Sequence, residues 1–240
     1  MFGEIQNAAG EKLDYTFHQG NDNGKDIVVI GHGVTGNKDR PFVVALADGL
    51  AAAGINALRF SFAGNGESGG DFVDATISKE VEDLDAVLGA LENWRVCFVG
   101  HSMGGAVGVL RTSRDKRIQS LVSLAGMVHT EEFATREFGE VTPDVGDMWE
   151  DEDCPLSQSY MDDMKAIDTV VEKGAHITVP WLLVHGTEDD VVPLGDSQDI
   201  LAKAGTNAEL VVLDGAGHVF SDHADEMVES VVGWIKGELG

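Results

Sequence analysis

The stretch VCFVGHSMGGAVGVL, residues 96–110, constrains the fold more than any other part of the chain. Val96, Cys97, Phe98 and Val99 read as a short buried strand, rich in β-formers. From Met103 onward small residues interleave with Val107, Val109 and Leu110, and Arg111 and Arg114 suit the C-terminal end of a helix. Strand and helix meet with no loop between them. The turn that joins them is therefore very sharp, and the residue at its apex, Ser102, is predicted to sit in a strained backbone conformation. Gly100 and Gly104 flank it, removing side chains that would collide. An ordinary serine has no need of so costly a turn.

The rest of the chain alternates in the same way. KLDYTFH (residues 12–18) reads as a half-exposed strand, with the short GEIQN before it as a partner and the turn-rich GNDNGK after it. DIVVIG, INALRFSF, IQSLVSLAG, VPWLLVHG and AELVVLD read as further strands. Helices are predicted at PFVVALADGLAAAG, opened by Pro41 and closed by Gly54, and at residues 78–93, where Val81, Leu84, Leu88 and Leu91 form an apolar stripe. Others follow near residues 197–204 and in HADEMVESVVGWIKGEL. Strands alternating with helices imply a mostly parallel sheet covered on both faces. Sites in such folds gather at the carboxyl ends of the strands.

Residues 127–177 break the pattern. They show no clear strand and are strongly acidic, yet they carry Phe133, Phe138, Trp149 and Tyr160 with Met148, Met161 and Met164. An irregular connection of this length is expected to be a functional lid, since its apolar residues need something to cover them. The aromatics either wall a pocket or pack the insertion onto the body. The expected organisation is a core of residues 1–126 and 178–240 with an inserted lid of residues 127–177.

The chain of 240 residues, 43% hydrophobic, suffices for one domain with a well-buried core. Its net charge of −26 argues against nucleic acid and anionic membrane surfaces as partners. Such an excess of acids suits a high-salt cytoplasm, and equally a merely acidic soluble protein. Cys97 and Cys154 make no disulfide framework, and no Cys/His spacing suggests a metal site. No signal-like leader or membrane-length apolar run is visible, so a cytoplasmic location is expected. Oligomeric state is left open, a homodimer included.

G-H-S-M-G, between a buried strand and a helix, fits the nucleophile-elbow pattern G-x-S-x-G in the context it requires. The turn lifts the Ser102 hydroxyl clear of the backbone, and the helix start leaves N–H groups unpaired. That of Met103 can then face a developing oxyanion. A serine needs a base. Of eight histidines, His32, His101 and His185 neighbour glycines at strand ends and read as packing or turn residues. His18, His129 and His176 belong to an early strand or the lid region. His218, on the glycine-rich loop after the last strand, is favoured over His223 at the start of the final helix. The acid that orients it comes from HGTEDDVVP: Asp189, or Asp190 in the neighbouring register.

Taken together, the motifs resemble the α/β-hydrolase superfamily from residue 26 almost to the C-terminus. IGHGVTGNK resembles its oxyanion loop after the third strand, RFSFAGNGESGGDF its glycine-rich segment after the fourth, and GHSMGG its elbow. HGTEDDVVP resembles its acid loop and GAGHVF its histidine loop. The details are most similar to the cinnamoyl/feruloyl esterase branch. The resemblance implies a mostly parallel eight-stranded sheet, helices on both faces and a lid insertion after the sixth strand that shapes the acyl pocket. It also implies a second oxyanion donor, the N–H of Val34, where relatives often carry an aromatic residue. Ser61, Ala63 and Asn65 depart from the family pattern in what is read as a supporting loop.

The expected activity is that of a serine carboxylic-ester hydrolase. Ser102 attacks, His218 is the base, Asp189 orients it, and the N–H groups of Val34 and Met103 hold the oxyanion. No metal or organic cofactor is required. The expected substrate is a small-molecule ester with a small to medium acyl or aryl group. The acidic lid is expected to disfavour anionic substrates. A histidine base predicts a rate that falls on acidification through roughly pH 6.5. A thioesterase or serine peptidase would use the same residues, and a non-catalytic ligand-binding relative would retain them.

Overall fold

The computed structural model describes residues 2–20 and 24–239, so the turn expected at residues 21–23 lies outside the described residues. The apolar runs pair into one sheet. Its strands are β3 (Tyr15–His18), β4 (Asp26–Gly31), β5 (Asn56–Phe60), β6 (Arg95–His101), β7 (Ile118–Leu124), β8 (Trp181–Gly186) and β9 (Ala208–Leu213). A separate hairpin joins β1 (Ile5–Gln6) to β2 (Lys12–Leu13). The seven strands lie in the order β3-β5-β4-β6-β7-β8-β9, all parallel except β3, which runs antiparallel to β5. This is the α/β-hydrolase arrangement. Counted with β1 and with residues 12–18 as one strand, it has the eight strands expected. The pairing divides them because the chain breaks step at Asp14, whose carbonyl accepts from the Ser61 N–H at 2.9 Å and whose N–H donates to Ser68 Oγ at 2.8 Å.

Alternation along the inner strands divides the core. Ile27 and Val29 of β4 join Phe98 and Leu121 on one face, and Val28 and Ile30 join Val99 and Leu124 on the other. The first face is covered by Leu84 and Leu88 of α2 (Ile77–Ala90) and Val107 and Val109 of α3 (Met103–Thr112). The second is covered by Leu46 and Leu50 of α1 (Pro41–Ala52) and Met227, Val231 and Ile235 of α7 (Ala224–Leu239). α6 (Leu194–Leu201) begins three residues before the expected helix, directly after Pro193.

The insertion expected after the sixth strand lies between β7 and β8, and it is more regular than its sequence suggests. It folds α4 (Thr130–Phe138) and α5 (Gln158–Ile167), the latter capped by the Ser157 side chain, which accepts from the Tyr160 N–H at 3.2 Å. Each helix is short and buries few residues, so the 3.6-residue period is weak amid the acids. Phe138 lies at the centre, with Phe133, Trp149 and Tyr160 edge-on around it at centroid distances of 6.1, 4.9 and 6.0 Å. Ser78 Oγ donates to Asp163 on α5 at 2.6 Å, and the Arg136 guanidinium on α4 donates to the Val191 carbonyl at 2.6 Å. These contacts clasp the insertion to the body. No helix among the described residues is long and apolar enough to cross a membrane.

Glu80 sits at this junction with both carboxylate oxygens buried and, among the described residues, without a hydrogen-bond partner; the Tyr160 hydroxyl is in the same condition. Burial first, then the charges of Asp83 and Asp163, pushes the Glu80 carboxyl well above its ordinary value. The folded chain therefore holds this proton at a pH where the unfolded chain has released it. Stability from this group is full below the unfolded value of about 4.3 and declines as pH rises toward the folded one. Glu80→Gln should raise the urea midpoint, and by more at pH 8 than at pH 5. An equal or lower midpoint at pH 8 would contradict this account.

Candidate active site

β6 runs into α3 with a single residue at the corner. Ser102 has φ 53° and ψ −117°, a conformation rarely adopted by a side-chain-bearing residue. Its N–H donates to the Leu124 carbonyl at 2.9 Å, and its own carbonyl accepts from Gly105 at 2.9 Å and Met127 at 3.1 Å. The turn is thus held by β7 and by the helix it starts. A Cβ on Gly104 would stand 2.5 Å from the His32 carbonyl oxygen, so only glycine fits there. Met103, first residue of α3, directs an N–H with no acceptor among the described residues.

His218 and Asp189 come from the loops after β9 and β8. The His218 Nδ1–H donates to Asp189 Oδ2 at 2.9 Å, a bond that leaves the lone pair on Nε2. The Asp189 side chain is fully buried and receives three more donors. The N–H groups of Val191 and Val192 reach Oδ1 at 3.0 and 2.8 Å, and His185 Nε2 lies 3.2 Å from Oδ2. Burial would raise this carboxyl, but the bonds from His185 and His218, the His218 charge and the Val192 N–H outweigh it and hold it well below the usual carboxylate range. The alternatives lie elsewhere. Asp190 and His223 line a neighbouring hollow and do not face the cavity that Ser102 lines.

Two further histidines brace these loops. His101 Nε2–H donates to the His218 carbonyl at 2.9 Å, and the two rings lie 4.7 Å apart. Burial, then the neighbouring His218 charge, lowers His101 to about 3, so it is neutral at ordinary pH. His32 Nδ1–H donates to the Gly33 carbonyl at 2.8 Å while its Nε2 accepts from the Phe62 N–H at 3.0 Å. Burial brings it down to about 4. His32 thereby shapes the turn of Gly33, Val34, Thr35 and Gly36, closed by a Gly36–Gly33 bond of 3.0 Å with Thr35 at φ 55°. The Val34 N–H has no acceptor among the described residues. Ser61, one of the departures from the family pattern, supports this loop: its Oγ accepts from the Lys38 N–H at 3.1 Å.

Gly33, Val34, Ser102 and His218 line one cavity of about 300 Å³, closed by Arg40, Phe42, Val191, Val219 and Trp149. Of the four lid aromatics, only Trp149 reaches it; Phe133, Phe138 and Tyr160 are buried inside the insertion. His185 and His101 were passed over in the sequence. The signal was available, since one stands four residues before Asp189 and the other directly before Ser102. Arg40 gave no signal, because only the folded loop brings it to the cavity.

Similar solved structures and sequence relatives place this geometry in context. Est1E from Butyrivibrio proteoclasticus, solved with ferulic acid bound, is 26% identical with a TM-score of 0.88, each chain covered to 98%. Monoacylglycerol lipase from Mycolicibacterium smegmatis is 25% identical, over 90% of this chain and 89% of its own. The mitochondrial palmitoyl-protein thioesterase ABHD10 from Bos taurus is 21% identical, over 80% of this chain and 67% of its own. The fold is that of the feruloyl/cinnamoyl esterase-type carboxylesterases. A model of the prolyl oligopeptidase family matches residues 39–240, which hold Ser102, Asp189 and His218, and the chain belongs to that family.

Proposed function

We propose that the chain is a serine carboxylic-ester hydrolase acting on small acyl or aryl esters. One observation carries the reading: Ser102 and His218 line one cavity, and His218 holds its Nδ1 proton against a buried, ionised Asp189. In that tautomer Nε2 takes the Ser102 proton as the oxygen attacks the ester carbonyl. Asp189 stabilises the imidazolium. The N–H groups of Val34 and Met103 receive the oxyanion; donors of this kind contribute about 3–4 kcal/mol each to the transition state. The alcohol leaves with the proton from His218, and water, activated by the same base, releases the acid.

A cavity of about 300 Å³ suits an acyl group the size of an aryl acid. The ferulic acid bound by the Est1E structure supports that choice. A fluorophosphonate should label the wild type and fail to label Ser102→Ala. Across a panel, methyl hydroxycinnamates and short aliphatic esters should turn over faster than an acyl thioester or an aminoacyl amide. Labelling that persists in Ser102→Ala removes the serine from the mechanism. Faster cleavage of the amide would make the protein a peptidase.

A further inference from the structure

We infer that the cavity selects esters that also carry a carboxylate, and that Arg40 is the residue that binds it. This rests on the hydrolase reading above and adds the substrate class to it. The chain has 42 acidic and 16 basic residues, yet none of the acids lines the cavity among the described residues, and Arg40 does. Arg40 is an exposed residue at the rim of this space, and its guanidinium is bonded to Thr35, another lining residue.

Arg40 is not tied up elsewhere. Its Nη2 donates to the Thr35 carbonyl at 2.9 Å, fixing the guanidinium beside the oxyanion loop. Like Arg114, it makes no ion pair among the described residues, whereas Arg59, Arg95, Arg111, Arg117 and Arg136 each hold a carboxylate. The acid next to it in sequence, Asp39, is engaged by Lys38 and Arg59. The remaining N–H groups of Arg40 are left to meet a planar carboxylate side by side. Arg40 is also the N-cap of α1, whose first turn has no acidic residue and no side-chain cap. The positive end of that helix dipole therefore adds to the same region.

The acidic lid, expected to disfavour anions, is set here against a cation that lines the cavity itself. Trp149 is the insertion's contribution to the cavity, and the acids beside it, Asp147 and Glu150 to Asp153, do not line it. Charges outside act through solvent and fade within about 8–10 Å, whereas Arg40 acts at contact. Asp189 is committed to His218, His185 and two backbone N–H groups, and Glu188, Asp190 and Asp222 line the hollow that shares Val191, His218 and Val219 with the cavity but not Arg40. The anionic end is thereby directed to the α1 side. The carboxylate belongs either to the acyl part, as in a half-ester of a dicarboxylic acid, or to the alcohol part, as in an acylated hydroxy acid.

The test compares each charged ester with its neutral counterpart: monoethyl against diethyl glutarate, and 3-acetoxypropionate against its methyl ester. Wild type should favour the charged member of one pair by about tenfold in kcat/KM, and that pair identifies the source of the carboxylate. Arg40→Gln should remove the preference, Arg40→Lys should restore part of it, and high salt should weaken it in the wild type. The ratio within a pair cancels any general damage to the oxyanion loop. Turnover of both members with a ratio that Arg40→Gln leaves unchanged overturns this inference and spares the hydrolase reading. Monoethyl glutarate binding, compared between Ser102→Ala and Ser102→Ala/Arg40→Gln, examines the contact without catalysis. A Kd weakened about tenfold in the double variant supports it, even if no ester turns over and the hydrolase reading fails; equal Kd values overturn it.

Discussion

Replacing Asp189 with asparagine is expected to lower kcat/KM by about 10⁴-fold with the fold retained. Four donors converge on the carboxylate: two backbone N–H groups on Oδ1, and the rings of His185 and His218 on Oδ2. An asparagine brings one oxygen and one amide NH₂. The N–H groups of Val191 and Val192 cannot turn away, so the oxygen must face them. The NH₂ then lies where Oδ2 was and meets His218 as a donor. His218 answers by accepting at Nδ1 and moving its proton to Nε2, the nitrogen that the proposed mechanism needs free for the Ser102 proton. His185 retains its bond to the Val192 carbonyl at 2.9 Å, which is why the loop should stay in place. Steady-state kinetics with near-UV circular dichroism checks this. A loss below tenfold in a normally folded variant would mean that the tautomer of His218 does not govern the reaction.

The sheet was legible because its inner strands are buried on both faces and read as continuous apolar runs, as DIVVIG does in β4. Ser102 was legible for a different reason: no ordinary turn needs two glycines around a serine between a strand and a helix. Asp189 could not be told from Asp190 by composition or position. What separates them is that the Asp189 side chain turns inward onto backbone donors while Asp190 stays at the surface, a distinction made by the fold alone. The insertion was legible, but its helices were not, for an energetic reason. Its helices are stabilised by packing around Phe138 rather than by a long apolar stripe, so local periodicity carries little of the information. The bracing roles of His101 and His185 were signalled only by their places beside Ser102 and Asp189, and that of His32 not at all, because a histidine beside a glycine looks alike in the sequence whether it fills space or ties one loop to another.

Substituting alanine for Gly100 should destabilise the protein by about 3–5 kcal/mol and abolish activity in whatever remains folded. The added Cβ would lie 2.1 Å from the Gly104 carbonyl oxygen, 2.5 Å from its carbon and 2.8 Å from the Gly105 nitrogen. All three are backbone atoms in the first turn of α3, so no side chain can rotate to relieve the overlap. The strand cannot retreat either. β6 is central in the sheet, with Gly100 paired to Gly31 on one side and Ser123 on the other. The helix start must therefore move, and it carries Ser102 and the Met103 N–H with it. Against a typical total stability of about 5–15 kcal/mol, such a loss leaves the chain marginal. Gly89→Ala is the matched control. It lies exposed in α2, has nothing within 4 Å of an added Cβ, and should gain about 0.5–1 kcal/mol through helix propensity. Urea denaturation of both variants, with ester hydrolysis measured below the transition, separates the two effects. A Gly100→Ala variant as stable and active as the wild type would mean that strand and helix do not meet as tightly as described, and that Ser102 is not held by this corner.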